Sequence, residues 1–121
     1  MLEGRLQRER KDGTVIYLAS PYSHPDRLVR LDRYRAVLQF TARQLAAGVM
    51  VYSPIVYGHE IGQMLGTSTE WDAWKAFDLD MLARCDGLWV LQLAGWESSV
   101  GVKAEMEEAQ RLGLSIVMVK P

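Results

Sequence analysis

A chain of 121 residues with 49% apolar and 24% charged side chains has the size and balance of one ordinary globular domain. That excludes a disordered chain, a collagen-like fibre and a small disulfide scaffold. Fourteen basic against fifteen acidic residues leave a net charge of −1, which speaks against a globally basic nucleic-acid binder.

Residues 1–13 are charged and have no sustained apolar face, so a flexible N-terminal tail is expected, followed by a single domain over 14–121. Val15 to Ala19 is a short β-branched run of the kind found in buried strands. Ser20-Pro21-Tyr22-Ser23 ends it as a turn. Pro25 and Asp26 then read as a helix start with proline in the first turn. Leu31, Tyr34, Leu38 and Leu45 continue at helical spacing, and Gly48 closes that helix.

Val49 to Tyr52 reads as a second strand, stopped by Ser53-Pro54. Residues 55–68 carry three glycines and read as a long loop holding a short helix. Thr67 and Glu70 have capping-box spacing. A helix follows through Trp71, Trp74, Phe77, Leu82 and Cys85. Gly87 to Leu91 is a third strand, and Leu93 to Glu97 a loop. Ser98 or Ser99 caps a helix over about 100–112, which Gly113 ends, and Ser115 to Val119 is a last strand.

Apolar strands alternating with helices imply a parallel sheet covered on both faces. With right-handed crossovers the expectation is a three-layer, doubly wound α/β sheet of four to five strands, Rossmann- or flavodoxin-like. Ligands of such folds bind beyond the carboxyl ends of the strands, here the segments 19–24, 53–60 and 92–101.

The sequence has no glycine-rich dinucleotide fingerprint, no P-loop and no nucleophile elbow. His24 and His59 stand far apart without a ligand cluster, so no metal site is expected. The weakly polar stretch 45–58 is shorter than the about 20 residues of a spanning helix. No apolar leader segment is seen at the N-terminus, so neither membrane nor export is expected. Cys85 closes no intrachain disulfide and reads as a core residue in a reducing, cytoplasmic setting.

Two carboxylates interrupt apolar stripes. One stripe runs Trp71, Trp74, Asp78, Leu82, Cys85 and the other Val102, Glu105, Ala109, Leu112. Each acid lies seven residues before the end of its stripe. At about 1.5 Å per residue both sit about 10 Å above the bottom of the sheet. Neighbouring helices would bring both into one cleft, where they could act on a substrate. The alternative is that each caps a loop or pairs with Arg or Lys. Asp80 with Arg84 and Glu107 with Arg111 have the spacing of solvated ion pairs, and Glu108 reads as solvated. Trp71, Trp74 and Trp96 are each either core or a platform for a base. Ser98, Ser99 and Gly101 form either an ordinary helix start or a place for a phosphate or hydroxyl.

Three segments together resemble the nucleoside 2-deoxyribosyltransferase-like superfamily, with its deoxynucleoside 5′-monophosphate N-glycosidases: Ile16-Tyr17-Leu18-Ala19-Ser20-Pro21, Asp78 to Asp86, and Ser99-Val100-Gly101-Val102-Lys103-Ala104-Glu105. The likeness is closest to a bacterial branch carrying Gly95 to Gly101. The resemblance implies that Glu105 is the nucleophile at C1′ of the sugar. It implies that Asp78 assists the departing base and that Tyr17 orients the nucleophile. Ser99 would stand near the 5′ group. Ala19, Ser20, Pro21, Tyr22, Trp74, Trp96, Ser98, Ser99 and Gly101 are the expected ligand-binding positions.

The expected activity is cleavage or transfer of the N-glycosidic bond of a (deoxy)nucleoside or its 5′-monophosphate, with no cofactor. The alternatives are a nucleotide- or sugar-phosphate-binding module without catalysis and a glycohydrolase of the NAD or ADP-ribose type. A small-molecule ligand and a homo-oligomer, dimer or tetramer, are expected, with no nucleic-acid polymer as partner.

Overall fold

The computed structural model describes residues 13–68 and 70–121. Of the tail expected over 1–13, residues 1–12 lie outside them. Four parallel strands form one sheet: β1 (Ile16–Ala19), β2 (Val51–Tyr52), β3 (Gly87–Leu91) and β4 (Ser115–Val119), in the order β2-β1-β3-β4. Four helices connect them: α1 (Arg27–Ala46), α2 (Pro54–Leu65), α3 (Trp71–Ala83) and α4 (Val100–Leu112). The fold is α/β, Rossmann- or flavodoxin-like, as the alternation of elements predicts.

The strands alternate their side chains between two cores. Leu18, Val51 and Leu91 face Val37 and Phe40 of α1. Tyr17, Ala19, Leu88 and Val90 face Leu82 of α3 and Val102 and Ala109 of α4. In the central strand β1, where Tyr17, Leu18 and Ala19 are buried, the period-2 alternation puts Tyr17 with Ala19 on the α3/α4 side and Leu18 on the other. On both sides of β1 the register is parallel, with Tyr17 opposite Tyr52 on β2 and opposite Leu88 on β3. The chain leaves β1 toward β2, then crosses back to β3. The strand order therefore reverses beside β1, which opens a crevice at the carboxyl ends of the strands.

Several local expectations change in the folded chain. Helix α1 begins after Pro25, because Asp26 is its N-cap and accepts the Leu28 amide at 2.9 Å. Its buried face is Val37, Phe40 and Thr41, and Leu38 is exposed. The second strand shortens to two residues. The glycine-bearing segment is a 12-residue helix, α2. Glycine is a poor helix former, yet Gly58 and Gly62 lie against the indole of Trp74. A Cβ at either would come within 3.3 Å of that ring. Tertiary packing thus overrides local propensity. Thr67 and Glu70 do not form a capping box, since Thr67 Oγ1 donates to Gly62 O and the Glu70 amide to Ser68 Oγ. Arg111 pairs with Glu108 through two bonds of 2.9 and 2.6 Å rather than with Glu107. Arg84 donates to the Asp80 carbonyl instead of its carboxylate. Among the described residues no helix is long and apolar enough to cross a membrane.

After β3 the chain turns through Gly95, at φ 92°, into a single 3-10 turn over Trp96–Ser98. A Cβ at Gly95 would also meet Arg33 Nη2 at 2.5 Å. Arg33 in turn donates to the Ser23 carbonyl at 2.9 Å, tying the loop after β1 to α1. Gly95→Ala is expected to cost about 1–3 kcal/mol, from the left-handed backbone and the displaced guanidinium. A urea titration of the variant beside the parent measures it.

Candidate functional site

Three N-caps stand around the crevice. Asp26 opens α1, Ser53 opens α2 by accepting the Val56 amide at 3.1 Å, and Ser99 opens α4 by accepting the Val102 amide at 3.2 Å. Between the chain segments they start lies a cavity of about 530 Å³. Its walls come from the loop after β1, the start of α2, the first two turns of α3 and the start of α4. Asp78 and Glu105 both line it.

Each acid reaches the cavity because its helix turns an otherwise apolar face to the sheet. Asp78 lies one turn before Leu82, and Glu105 one turn before Ala109, and all four side chains are buried. Glu105 is only 4% exposed and Asp78 6%. Neither forms an ion pair with Lys or Arg among the described residues, and neither caps a loop. The partner of Glu105 is Tyr17, whose phenol donates a short hydrogen bond to Oε2. This bond links the central strand to α4 across the α3/α4 core.

The electrostatics follow from burial. Burial pushes the Asp78 carboxyl up to about 7. Burial also raises Glu105, to about 8. The Tyr17 hydrogen bond opposes that rise and the charge of Asp78 adds to it. The two acids therefore sense each other and titrate as a pair near neutrality. Tyr17 stays protonated, held far above the usual phenol range by burial and then by Glu105. It is thus a permanent donor to the Glu105 carboxylate.

A second tyrosine, not singled out from the sequence, stands beside the first. Tyr52 packs on Tyr17 with ring centroids 5.8 Å apart, and its buried hydroxyl has no hydrogen-bond partner. Burial and then Asp78 raise its pKa. The two histidines also belong to the cavity wall. His59 stacks on Tyr34 at 3.8 Å between ring centroids and meets the Tyr22 hydroxyl through Nδ1 at 2.7 Å. Burial lowers its pKa. Among the described residues no three His, Cys, Asp or Glu side chains cluster as metal ligands.

Over residues 14–120 the sequence matches a family described as a domain of unknown function (DUF1937). The chain belongs to the DUF1937 family. No curated protein matches it at a significant level.

In this DUF1937 domain the cavity gathers most of the expected positions. Ser20, Tyr22, Trp74, Ser98, Ser99 and Gly101 line it together with the two acids. Tyr17 lies behind Glu105, in the core. Ala19 and Pro21 are buried and do not line the cavity; Ala19 packs in the α3/α4 core. Trp96 is also not in the wall. It packs against the α3/α4 core, since the turn at Gly95 directs it there. Trp71, unassigned between core and ligand in the sequence, lines the cavity instead. Its indole lies on Gly101, where a Cβ would approach to 3.1 Å. Glu70, Asp72, His24 and His59 are further wall residues that helical periodicity does not reveal, because they sit in loops, at helix starts or on an outer face.

Two raised carboxyls make a stability statement. Between about pH 4 and pH 8 the folded chain holds protons that the unfolded chain has released, so stability falls as pH rises through that window. Each group contributes a slope of about 1.4 kcal/mol per pH unit where only the folded state is protonated. Denaturant unfolding is expected to show a more stable protein at pH 5 than at pH 8. Glu105→Gln and Asp78→Asn are expected to raise the midpoint at pH 8 and to flatten the pH dependence.

Proposed function

We propose that this chain cleaves or transfers the N-glycosidic bond of a nucleoside or nucleoside 5′-monophosphate. The observation that carries this reading is the pairing of two buried carboxyls on one cavity, one of them fastened by a tyrosine. Sugar–base cleavage needs a nucleophile or charge partner at C1′ and a proton for the leaving nitrogen. Glu105, kept in place by the Tyr17 donor, fills the first role. Asp78, raised toward neutrality, fills the second. The resemblance of the segments around Tyr17, Asp78 and Glu105 to the nucleoside 2-deoxyribosyltransferase-like superfamily supports the same assignment.

In the first step a Glu105 carboxylate oxygen bonds to C1′ while the C1′–N bond breaks. The electron pair of that bond goes to the base nitrogen, and the Asp78 proton neutralises the base. In the second step water attacks C1′, Asp78 accepts its proton, and Glu105 leaves as carboxylate. A second base in place of water gives transfer. Trp71 and Trp74, each seated on glycine, offer rigid aromatic surface for the base. Ser20 and Ser99 stand ready for the sugar hydroxyls.

Base release from nucleosides, nucleoside 5′-monophosphates and NAD, followed by chromatography with and without an acceptor base, tests the reading. Glu105→Ala is expected to abolish release, and Asp78→Asn to lower it about 10²–10⁴-fold. An active Glu105→Ala protein overturns the mechanism. The rate is expected to peak between about pH 7 and pH 8. The form with Glu105 ionised and Asp78 protonated is the minor one, because Glu105 lies above Asp78, and its share is largest there; it falls at lower pH as Glu105 gains its proton and at higher pH as Asp78 loses its own.

A further inference from the structure

Two acids line the cavity, and the strands beneath them present two tyrosines. Tyr17 on β1 and Tyr52 on β2 are register partners in parallel strands, so both side chains leave the sheet on the same face. Both pack in the α3/α4 core, with ring centroids 5.8 Å apart. Tyr17 donates to Glu105 of α4. Helix α3, which connects β2 to β3, packs on that same face and carries Asp78.

Only one acid is joined to its tyrosine. The Tyr52 hydroxyl is buried and has no hydrogen-bond partner among the described residues. Its titratable neighbours are Tyr17, Tyr57, Asp78, Cys85 and Glu105, and of their charges that of Asp78 acts on it most strongly. Asp78 in turn has no hydrogen bond among the described residues. Burial alone raises it, whereas the Tyr17 bond holds Glu105 back. A buried hydroxyl left unpaired is costly, and phenylalanine would fill the same space without that cost. Packing therefore does not account for the Tyr52 oxygen. A neutral phenol serves a carboxylate by donating to it, and Asp78 becomes a carboxylate when it gives up its proton.

We propose that Tyr52 is a positioning residue for Asp78: its hydroxyl donates to the carboxylate that Asp78 becomes when the base takes its proton. This rests on the reading of Asp78 as the proton donor of glycosidic cleavage. The proton passes from Asp78 to the base nitrogen, while Tyr52 keeps its own and turns its O–H toward the new charge. When water returns a proton to Asp78, the contact is released. A donor already placed where charge develops stabilises that charge with little reorganisation. The two strands then serve the two acids alike, Tyr17 the nucleophile and Tyr52 the acid.

The test is Tyr52→Phe, which removes the oxygen alone. Asp78 is titrated by carboxyl-carbon NMR in Glu105→Gln, where no second acid is paired with it, with and without Tyr52→Phe. Loss of the donor is expected to make Asp78 an about tenfold weaker acid. At pH 6 both acids hold their protons. There kcat for base release by Tyr52→Phe is expected to fall about tenfold or more, with KM little changed. In urea at pH 5 the variant is expected to be no less stable than the parent, because the hydroxyl it lacks is unpaired while Asp78 is neutral. An Asp78 that titrates unchanged, or as a stronger acid, overturns the proposal, and so does an unchanged kcat. A large loss of stability at pH 5 assigns the hydroxyl to packing and overturns it too. If no compound of the panel releases its base, the glycosidic reading fails by itself, and the titration alone decides whether Tyr52 serves Asp78.

Discussion

The hydrogen bond from Tyr17 to Glu105 joins the two parts of the molecule that matter most. One end is a fully buried side chain of the central strand, and the other a carboxyl on the helix that follows β3. A carboxyl in that position has lost its water and has no cation beside it. It persists because the phenol supplies one strong donor and because the cavity leaves its other side open. The register of the sheet, the approach of α4 and the depth of the cavity all converge on this contact.

Asp78 comes to the same place by a different route. Helix α3 packs beside α4, and its acid stands one turn from the core leucine at 82. With two buried carboxyls on one cavity, ionising one makes ionising the other harder. The pair is costly for the folded chain, and such local cost is often found where a protein binds or reacts. The tyrosine couple deepens the point. Tyr52 stands next to Tyr17 on the neighbouring strand with its buried hydroxyl unpartnered, a second polar group kept in this core without an evident structural gain.

Around the acids the walls divide by chemistry. Indoles seated on glycines form a rigid apolar side, while serines at strand ends and helix starts form a hydroxyl side. Acidic residues flank both, and the arginines beneath the β1 loop hold its carbonyls rather than facing the cavity. The same three helix starts that satisfy orphan amides also frame the opening, so the elements that end the strands make the site.

The sequence by itself determined the parallel α/β fold, the limits of β3, β4 and α4, and the two acids that break apolar stripes at Asp78 and Glu105. These are properties of spacing along one element, where side chains three, four or seven apart share a face whatever lies opposite. Only the tertiary structure decided that those faces meet at one cavity, that Tyr17 is the group that holds Glu105, and that Tyr52 stands beside it. It also decided that His59 and Trp71 belong to the wall, that Trp96 belongs to the core, and that the glycines of α2 lie inside a helix. Each of these depends on which elements become neighbours. Periodicity carries no record of that, because a contact between Tyr17 and Glu105 spans 88 positions and exists only once the sheet has been assembled.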